Sequence, residues 1–595
     1  MRSPQHMATW TFNVRLMRHA PRPFALYATC NILFYAGQLV PGFIVQAIFD
    51  RLTRHASAGL SIPTLIALLA SIEVARFTTS FGQVWADVTF RLTTGALLRR
   101  NILAAILRRP GAVALPVAPG AAVNRFRDDV DETSDFPTWF PHVFAFVLEI
   151  GVAVTIMAHI NLTITIYAVL PLLVAGIIAR VSWDWVRSYF ALESKATDEV
   201  TGFLAEAFGA VQAVKLAGAS GTMTQHFDEL NRSRQAVAVR WRLVEEATSS
   251  MTASTLAIGI GAVLFLAGQG IAHRTFSIGQ FALFVYLLEL IAEYATDLGN
   301  FLGDYAAQAI SIVRMEELVR PEPPAAMLQD RQTRSGTADF QFDPRAEPLD
   351  RLQIRGLAYA HESGTGIQDV DAEVLGGGLT VVTGRVGCGK TTLLRALLGL
   401  LPMESGEIRW NGKIVADPVA FFRPPRAAYV SQVPQLFSEP LVDNVLMGWQ
   451  TSEGQLDEAI RQAVLEEDVP ALSDGLNTIV GPRGVRLSGG QIQRTAAARA
   501  FVRRPELLVL DDLSSALDVD TEQRLWDRLL ARSDITTLAV SHRRTALSRA
   551  GHVILMQDGR VAAQGTLAQL LETSEEMRRI WAAEDRNGEA DMNTD

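Results

Sequence analysis

The chain has 595 residues, 49% of them hydrophobic, with a mean hydropathy of +0.17. That is too long for one ordinary soluble core and too apolar for a wholly soluble protein. Lys and Arg number 54 against 63 Asp and Glu, and the net charge of −9 argues against a nucleic-acid-binding surface. The only cysteines, Cys30 and Cys388, lie in segments of different character, which argues against a structural disulfide and fits a reducing cytosolic face.

The N-terminal segment, residues 1–23, lacks the short apolar core and small-residue cleavage site of a signal peptide. It reads as a short amphipathic helix on the cytosolic membrane surface. Six apolar stretches follow between Phe24 and Tyr305, at 24–49, 60–82, 143–160, 162–179, 254–272 and 281–302. Each is near the ~20 residues that a spanning helix needs. They predict an all-α polytopic membrane domain over residues 24–320. The first, third and fifth connections are short. The second and fourth, roughly Asp87 to Phe136 and Arg180 to Thr252, are long and rich in basic residues such as Arg99, Arg109, Lys215 and Arg240. Basic loops belong on the cytosolic side, which places both termini there as well. Glycine-containing reversals near RRPGAVALPVAPG and KLAGASG are the expected docking points for a cytosolic domain.

Five carboxylates interrupt these stretches. Glu73 stands three residues before Arg76, Glu149 lies in the third stretch, and Glu289, Glu293 and Asp297 form one helical stripe in the sixth. Intramembrane carboxylates face a bundle interior or a wet cavity, so they suggest either a cavity for cationic cargo or local ion pairing. The residues alone leave both open.

Residues 321–350 are rich in proline, small and charged residues and read as a linker. From Leu352, short apolar strands alternate with helices, which predicts an α/β domain over residues 351–572. Its strongest motif is GRVGCGKTT, Gly384 to Thr392, after the strand LTVVT and before the helical run LLRALLGLL. This is a P-loop in its required context. Gly384, Gly387 and Gly389 let backbone N–H groups wrap phosphate oxygens, Lys390 reaches the β/γ-phosphates, and Thr391 offers its hydroxyl to Mg²⁺. Cys388 and Thr392 stand beside the nucleotide; Cys388 reads as a small tolerated residue. Residues 573–595 carry more acidic than basic residues and read as a solvated tail.

Ahead of a second apolar strand, LLVLD, lies RLSGGQIQR, with Ser488, Gly489, Gly490 and Gln491. This resembles the signature of ATP-binding cassette (ABC) transporters, and the other cassette parts match it. Tyr359 resembles the aromatic residue that stacks on adenine. Gln432 resembles the Q-loop glutamine, which contacts the metal and the attacking water. Asp511 resembles the Walker B aspartate, Ser515 to Asp518 the D-loop, and His542 the switch histidine that touches the γ-phosphate. The resemblance covers nearly the whole chain. It implies an ABC cassette with a helical subdomain, ATP and Mg²⁺ as cofactors, and the layout of an exporter half-transporter that works as a dimer in a bacterial-type plasma membrane. In such dimers each ATP lies between one chain's P-loop and the other chain's LSGGQ.

Two positions depart from the pattern. Asp512 stands where the family has a catalytic glutamate, and its carboxylate is one methylene short of the same water. Pro482 stands where related exporters carry an acidic residue. A degenerate Walker B beside an intact signature points to a heterodimer in which this chain holds the weak ATP site. A homodimer in which Asp512 suffices, aided by His542, remains open. So do an importer of a cofactor or iron chelate with the same layout and an ATP-gated or regulatory subunit with little turnover.

Overall fold

The computed structural model describes residues 7–53, 59–117, 119–272, 276–330, 348–361, 363–482, 484–514, 516–532 and 534–582. The chain forms two compact units, Met1–Ile106 with Pro116–Arg331, and Leu107–Leu115 with Gln332–Asp595.

The first unit is helical. A short helix α1 (Thr9–His19) precedes α2 (Pro21–Ala36) and α3 (Val40–Leu52), which together follow the first apolar stretch. Long helices then run as α4 (Ile62–Arg108), α5 (Trp139–Gly209), α6 (Ser220–Ala272) and α7 (Ile278–Val319). α5 joins the third and fourth expected stretches in one 71-residue element, broken at Asn161 (φ −159°, ψ 105°). The Asn161 side-chain oxygen accepts from the Ile164 N–H at 3.0 Å, so Asn161 caps the helix that restarts after it. α7 starts with a capping box in which Ser277 and Gln280 satisfy each other's backbone N–H.

By length and composition, four stretches among the described residues can cross a membrane: Pro21–Leu52, Ile62–Arg108, Gly120–Pro171 and Ile278–Val319. A shorter apolar helix, Ala257–Gly268, lies within α6. Apolar side chains of α5, α6 and α7 share a core around Met157, Ala168, Val263, Leu283 and Leu287. α3 approaches α7 so closely that a Cβ on Gly42 would stand 2.7 Å from the Tyr286 ring.

The five carboxylates separate by environment, with Asp297 half-buried. Arg76 pairs with Glu73 at 2.9 Å, and Glu73, Glu289 and Glu293 are exposed in this chain. Glu149 is only 4% exposed and accepts a hydrogen bond from the Tyr294 hydroxyl at 2.8 Å. Phe146 stacks on Tyr294, and Tyr35 packs edge-on against both rings.

The second unit is the expected α/β domain. Strands β1 (Arg351–Ala360), β2 (Gly366–Leu375), β4 (Ser405–Trp410) and β5 (Lys413–Ile414) form an antiparallel sheet in the order β2-β1-β4-β5. β3 (Leu379–Thr383), β6 (Ala427–Val430), β7 (Leu507–Asp511), β8 (Thr536–Val540), β9 (His552–Gln557) and β10 (Arg560–Gly565) form the second sheet, in the order β10-β9-β3-β8-β7-β6. Its neighbours pair in parallel except β10. β3, β7 and β8 are buried at every position, which is why they read as unbroken apolar runs. Helices α8 (Lys390–Leu397), α9 (Glu453–Gln462), α10 (Gly489–Phe501) and α11 (Val519–Leu530) complete the layers used below.

Two parts of this unit were not expected in this form. Leu107–Leu115, within the first reversal, belongs to it, and the Ala112 N–H donates to Leu400 O at 3.0 Å. The tail expected to be solvated from residue 573 instead begins with a helix over 575–582 in which Met577 is fully buried. Apolar burial overrides the acidic composition there. The acidic end itself, 583–595, lies outside the described residues.

Candidate nucleotide site

β3 delivers the P-loop. Gly384, Gly387 and Gly389 take φ values of 145°, 85° and 100°, a region that L side chains rarely enter. A Cβ on Gly384 would stand 2.3 Å from Met556 O, and one on Gly389 would stand 2.9 Å from the Ile367 side chain. The loop therefore needs glycine for both conformation and room. It ends at the N-terminus of α8, which presents backbone N–H groups and a positive dipole end to an anion. This cradle fits the triphosphate of ATP.

Lys390 turns its ammonium back on the loop, donating to Gly384 O at 2.7 Å and Arg385 O at 2.8 Å. The Cys388 thiol is buried, and that burial pushes its pKa up against the opposing charge of Lys390. Thr392 follows on the first turn of α8.

Asp511 ends β7 and is 1% exposed. Thr391 donates its hydroxyl to one carboxylate oxygen at 2.9 Å, and Tyr429 of β6 donates to the other at 3.0 Å. Burial raises the Asp511 pKa, and the two hydroxyl donors oppose that rise. Burial, with Asp511 beside it, pushes the Tyr429 hydroxyl up to about 12. Among the described residues no group of three or more His, Cys, Asp or Glu side chains gathers as a metal site. A magnesium ion that takes one or two protein oxygens and fills its shell with phosphate and water fits the Thr391–Asp511 pair.

Asp512 adopts φ 54° and donates its N–H to Val540 O at 3.1 Å. Its carboxylate accepts from the Gln432 side chain at 3.5 Å, at the limit of a hydrogen bond. Thr391, Asp511, Asp512 and Gln432 are thus linked by adjacency in the chain and by the Thr391–Asp511 and Gln432–Asp512 contacts, with Lys390 next to Thr391. Tyr359, half-buried on β1, packs its ring edge-on to His361 at 4.8 Å. His542 is exposed just beyond β8.

The signature residues form a separate group. Ser488 caps α10 in a reciprocal box with Gln491, and the Gln491 side chain donates to Asp468 at 2.7 Å. Ser488 and Gly489 are exposed at this helix N-terminus. A Cβ on Gly490 would stand 2.9 Å from Ala516 O, inside the expected D-loop, whose Ser515 lies outside the described residues. Pro482 is exposed ahead of this group.

Two residues that sequence reasoning passed over belong with these parts. Tyr429 is an aromatic residue within the short strand β6. Gln493, 5% exposed, donates to Gln432 O at 3.5 Å and accepts from the Ala516 N–H at 3.3 Å, joining the two loops. Its place two residues after Gln491, on the helix that starts at the signature, was the available signal.

The profile described as the ABC transporter transmembrane region matches residues 21–293, and the one described as ABC transporter matches residues 367–515. A putative multidrug export ATP-binding/permease protein of Staphylococcus aureus (strain NCTC 8325 / PS 47) is 26% identical over 467 residues, covering 76% of this chain and 77% of that protein. A namesake from the bovine RF122 strain of the same species is 25% identical over 461 residues, again with 76% and 77% covered. The solved structure of a bacterial Atm1-family ABC exporter with ATP bound superposes with a TM-score of 0.72 at 19% identity, covering 94% of this chain and 98% of that one, which shows a shared fold.

Proposed function

Because the chain belongs to the ABC transporter family, as an exporter-type half-transporter whose cassette couples ATP hydrolysis to transport, we propose that it exports a lipophilic, peptide-like or cationic compound as a heterodimer in which it holds the weaker ATP site. The setting is a bacterial-type plasma membrane crossed by six spans per chain, with both termini and the cassette cytosolic. The first four spans follow α2 with α3, α4, and the two parts of α5 on either side of Asn161; α6 and α7 supply the fifth and sixth. Multidrug export in the names of the relatives supports export over uptake of a cofactor or iron chelate.

Within the cassette, the P-loop N–H groups and Lys390 hold the phosphates, and Tyr359 offers its ring to the adenine. Thr391 and Asp511 hold magnesium, which supplies charge neutralisation at the phosphates when bound. Gln432 and Asp512 would orient the attacking water, and His542 would contact the γ-phosphate. Ser488 to Gln491, at an exposed helix N-terminus, complete the nucleotide site of the partner.

The observation that carries the heterodimer reading is Asp512 beside an intact signature. Its carboxylate is one methylene shorter than glutamate, and Gln432 reaches it only at 3.5 Å. The test is ATP hydrolysis by this chain alone in lipid nanodiscs, beside Asp512→Glu and Lys390→Ala. Near-inactive wild type with turnover restored in Asp512→Glu is the expected result. Robust wild-type turnover abolished by Lys390→Ala would replace the heterodimer with a working homodimer.

A further inference from the structure

The helix over 575–582 touches the P-loop. Arg385, the second residue of that loop, extends an exposed guanidinium to Glu576, with Nε to Oε1 at 2.5 Å and Nη2 to Oε2 at 2.7 Å. This is a two-pronged, charge-assisted pair, the form of ion pair with the most defined geometry. It joins positions 191 residues apart in sequence. Arg385 holds the Glu576 carboxyl below the usual carboxylate range.

The helix that carries Glu576 has its own anchors. Ser574 caps it, accepting from the Met577 N–H at 3.2 Å, and Met577 is fully buried. Ile580 and Trp581 pack against the core that contains Leu555 and Leu570. The Arg544 guanidinium lies 4.4 Å from the centre of the Trp581 ring and donates to Trp581 O at 3.0 Å. Glu576 is therefore presented by an element fixed without help from the P-loop.

On the loop side, Lys390 donates to the carbonyls of Gly384 and Arg385. The backbone at Arg385 thus sets where the lysine ammonium rests. We infer that Glu576 is a positioning residue for ATP binding, holding Arg385 and, through the Arg385 backbone, the bend that places Lys390. Without this partner the Arg385 side chain loses its anchor and leaves the bend less defined. The inference rests on ATP binding at this P-loop and not on the cargo or the partner.

The two roles open to Glu576 have opposite signs. A carboxylate that only neutralises Arg385 would weaken the attraction for ATP, so its removal would tighten binding. A positioning carboxylate does the reverse. The experiment is equilibrium ATP binding by the full chain in nanodiscs, without magnesium to prevent turnover, for wild type, Glu576→Ala, Arg385→Ala and the double variant. Glu576→Ala weakens ATP binding roughly twofold to fivefold. In the Arg385→Ala background the same change has no further effect. Tighter or unchanged binding in Glu576→Ala overturns the inference. An equal fall with and without Arg385 overturns it too, because Glu576 would then act through the fold of the tail. Lys390→Ala is the control: if it binds ATP normally, the reading of the site itself has failed, a result distinct from either of these.

Discussion

Tyr429 donates its hydroxyl to Asp511 at 3.0 Å, on the carboxylate oxygen that Thr391 does not use. The two donors fix the plane of a carboxylate that is 1% exposed. A neutral hydrogen bond of this kind contributes about 1 kcal/mol, and more when its acceptor is charged. Tyr429→Phe should therefore raise the magnesium concentration for half-maximal MgATP binding roughly threefold to tenfold, while ATP binding without magnesium stays as in wild type. Asp511→Asn should abolish the magnesium response altogether. If Tyr429→Phe weakens ATP binding equally with and without magnesium, the hydroxyl serves the strand and not the metal site.

Asp511 also gives the nucleotide-free protein a pH signature. Burial raises its pKa in the folded chain above the ordinary carboxylate value. A raised folded value favours the neutral form, so the stabilisation is present below the unfolded-state value and is lost as pH rises through the folded one. Asp511→Asn has no such titration. The unfolding midpoint of the wild-type cassette should fall relative to that of Asp511→Asn as pH rises from the acid side of the carboxylate range toward neutrality. Parallel midpoints across that interval would show that Thr391 and Tyr429 offset the burial completely.

The parts of the site that depend on local backbone were legible in the sequence. β3 and β7 are buried at all five positions, so each had to be an unbroken apolar run, and the glycines of GRVGCGKTT stand where the chain turns left-handed. Contacts between distant segments were not legible. Nothing local ties Tyr429 to Asp511, 82 residues on, or Arg385 to Glu576. Met577, Ile580 and Trp581, spaced three and four apart, carried the helical signal in the tail, but its acidic composition outweighed them. In the membrane unit, four of the described stretches are long and apolar enough to cross a membrane, and the fifth expected stretch falls on the shorter apolar helix Ala257–Gly268. The third and fourth stretches are separated by the extended residue Asn161 alone, a break that hydropathy does not mark.

The two halves of the cassette should fail differently. Gly389 sits at φ 100°, and a Cβ there would stand only 2.9 Å from the Ile367 side chain, so Gly389→Ala adds both backbone strain, about 1–3 kcal/mol, and a clash. ATP binding at the chain's own P-loop should drop by roughly tenfold or more. Gly490→Ala pushes instead on Ala516 O at 2.9 Å. It should leave ATP binding by the isolated chain intact and lower hydrolysis in the assembled dimer roughly tenfold or more, because small displacements cost reacting geometry heavily. Loss of ATP binding by the isolated Gly490→Ala chain would place the signature within the chain's own site and remove the reason for pairing.

In the membrane unit, α1 is tied to α7 by a pair of amides. The Asn13 side chain donates to Gln308 at 2.8 Å, and the Gln308 side chain donates back at 2.8 Å and to Thr133 O at 3.3 Å. Both residues are fully buried, so neither has water to fall back on. Asn13→Ala strands the polar atoms of Gln308 and should cost about 1–3 kcal/mol, the desolvation of an unsatisfied buried group. Replacing both partners removes the stranded amides together. Asn13→Leu with Gln308→Leu should therefore lose less stability than Asn13→Ala alone, with only Thr133 O left short of a donor. Thermal unfolding of the full chain in nanodiscs reads this directly. If the losses of the two single leucine variants simply add in the double variant, the amides contribute separately and do not act as one latch between the N-terminal helix and α7.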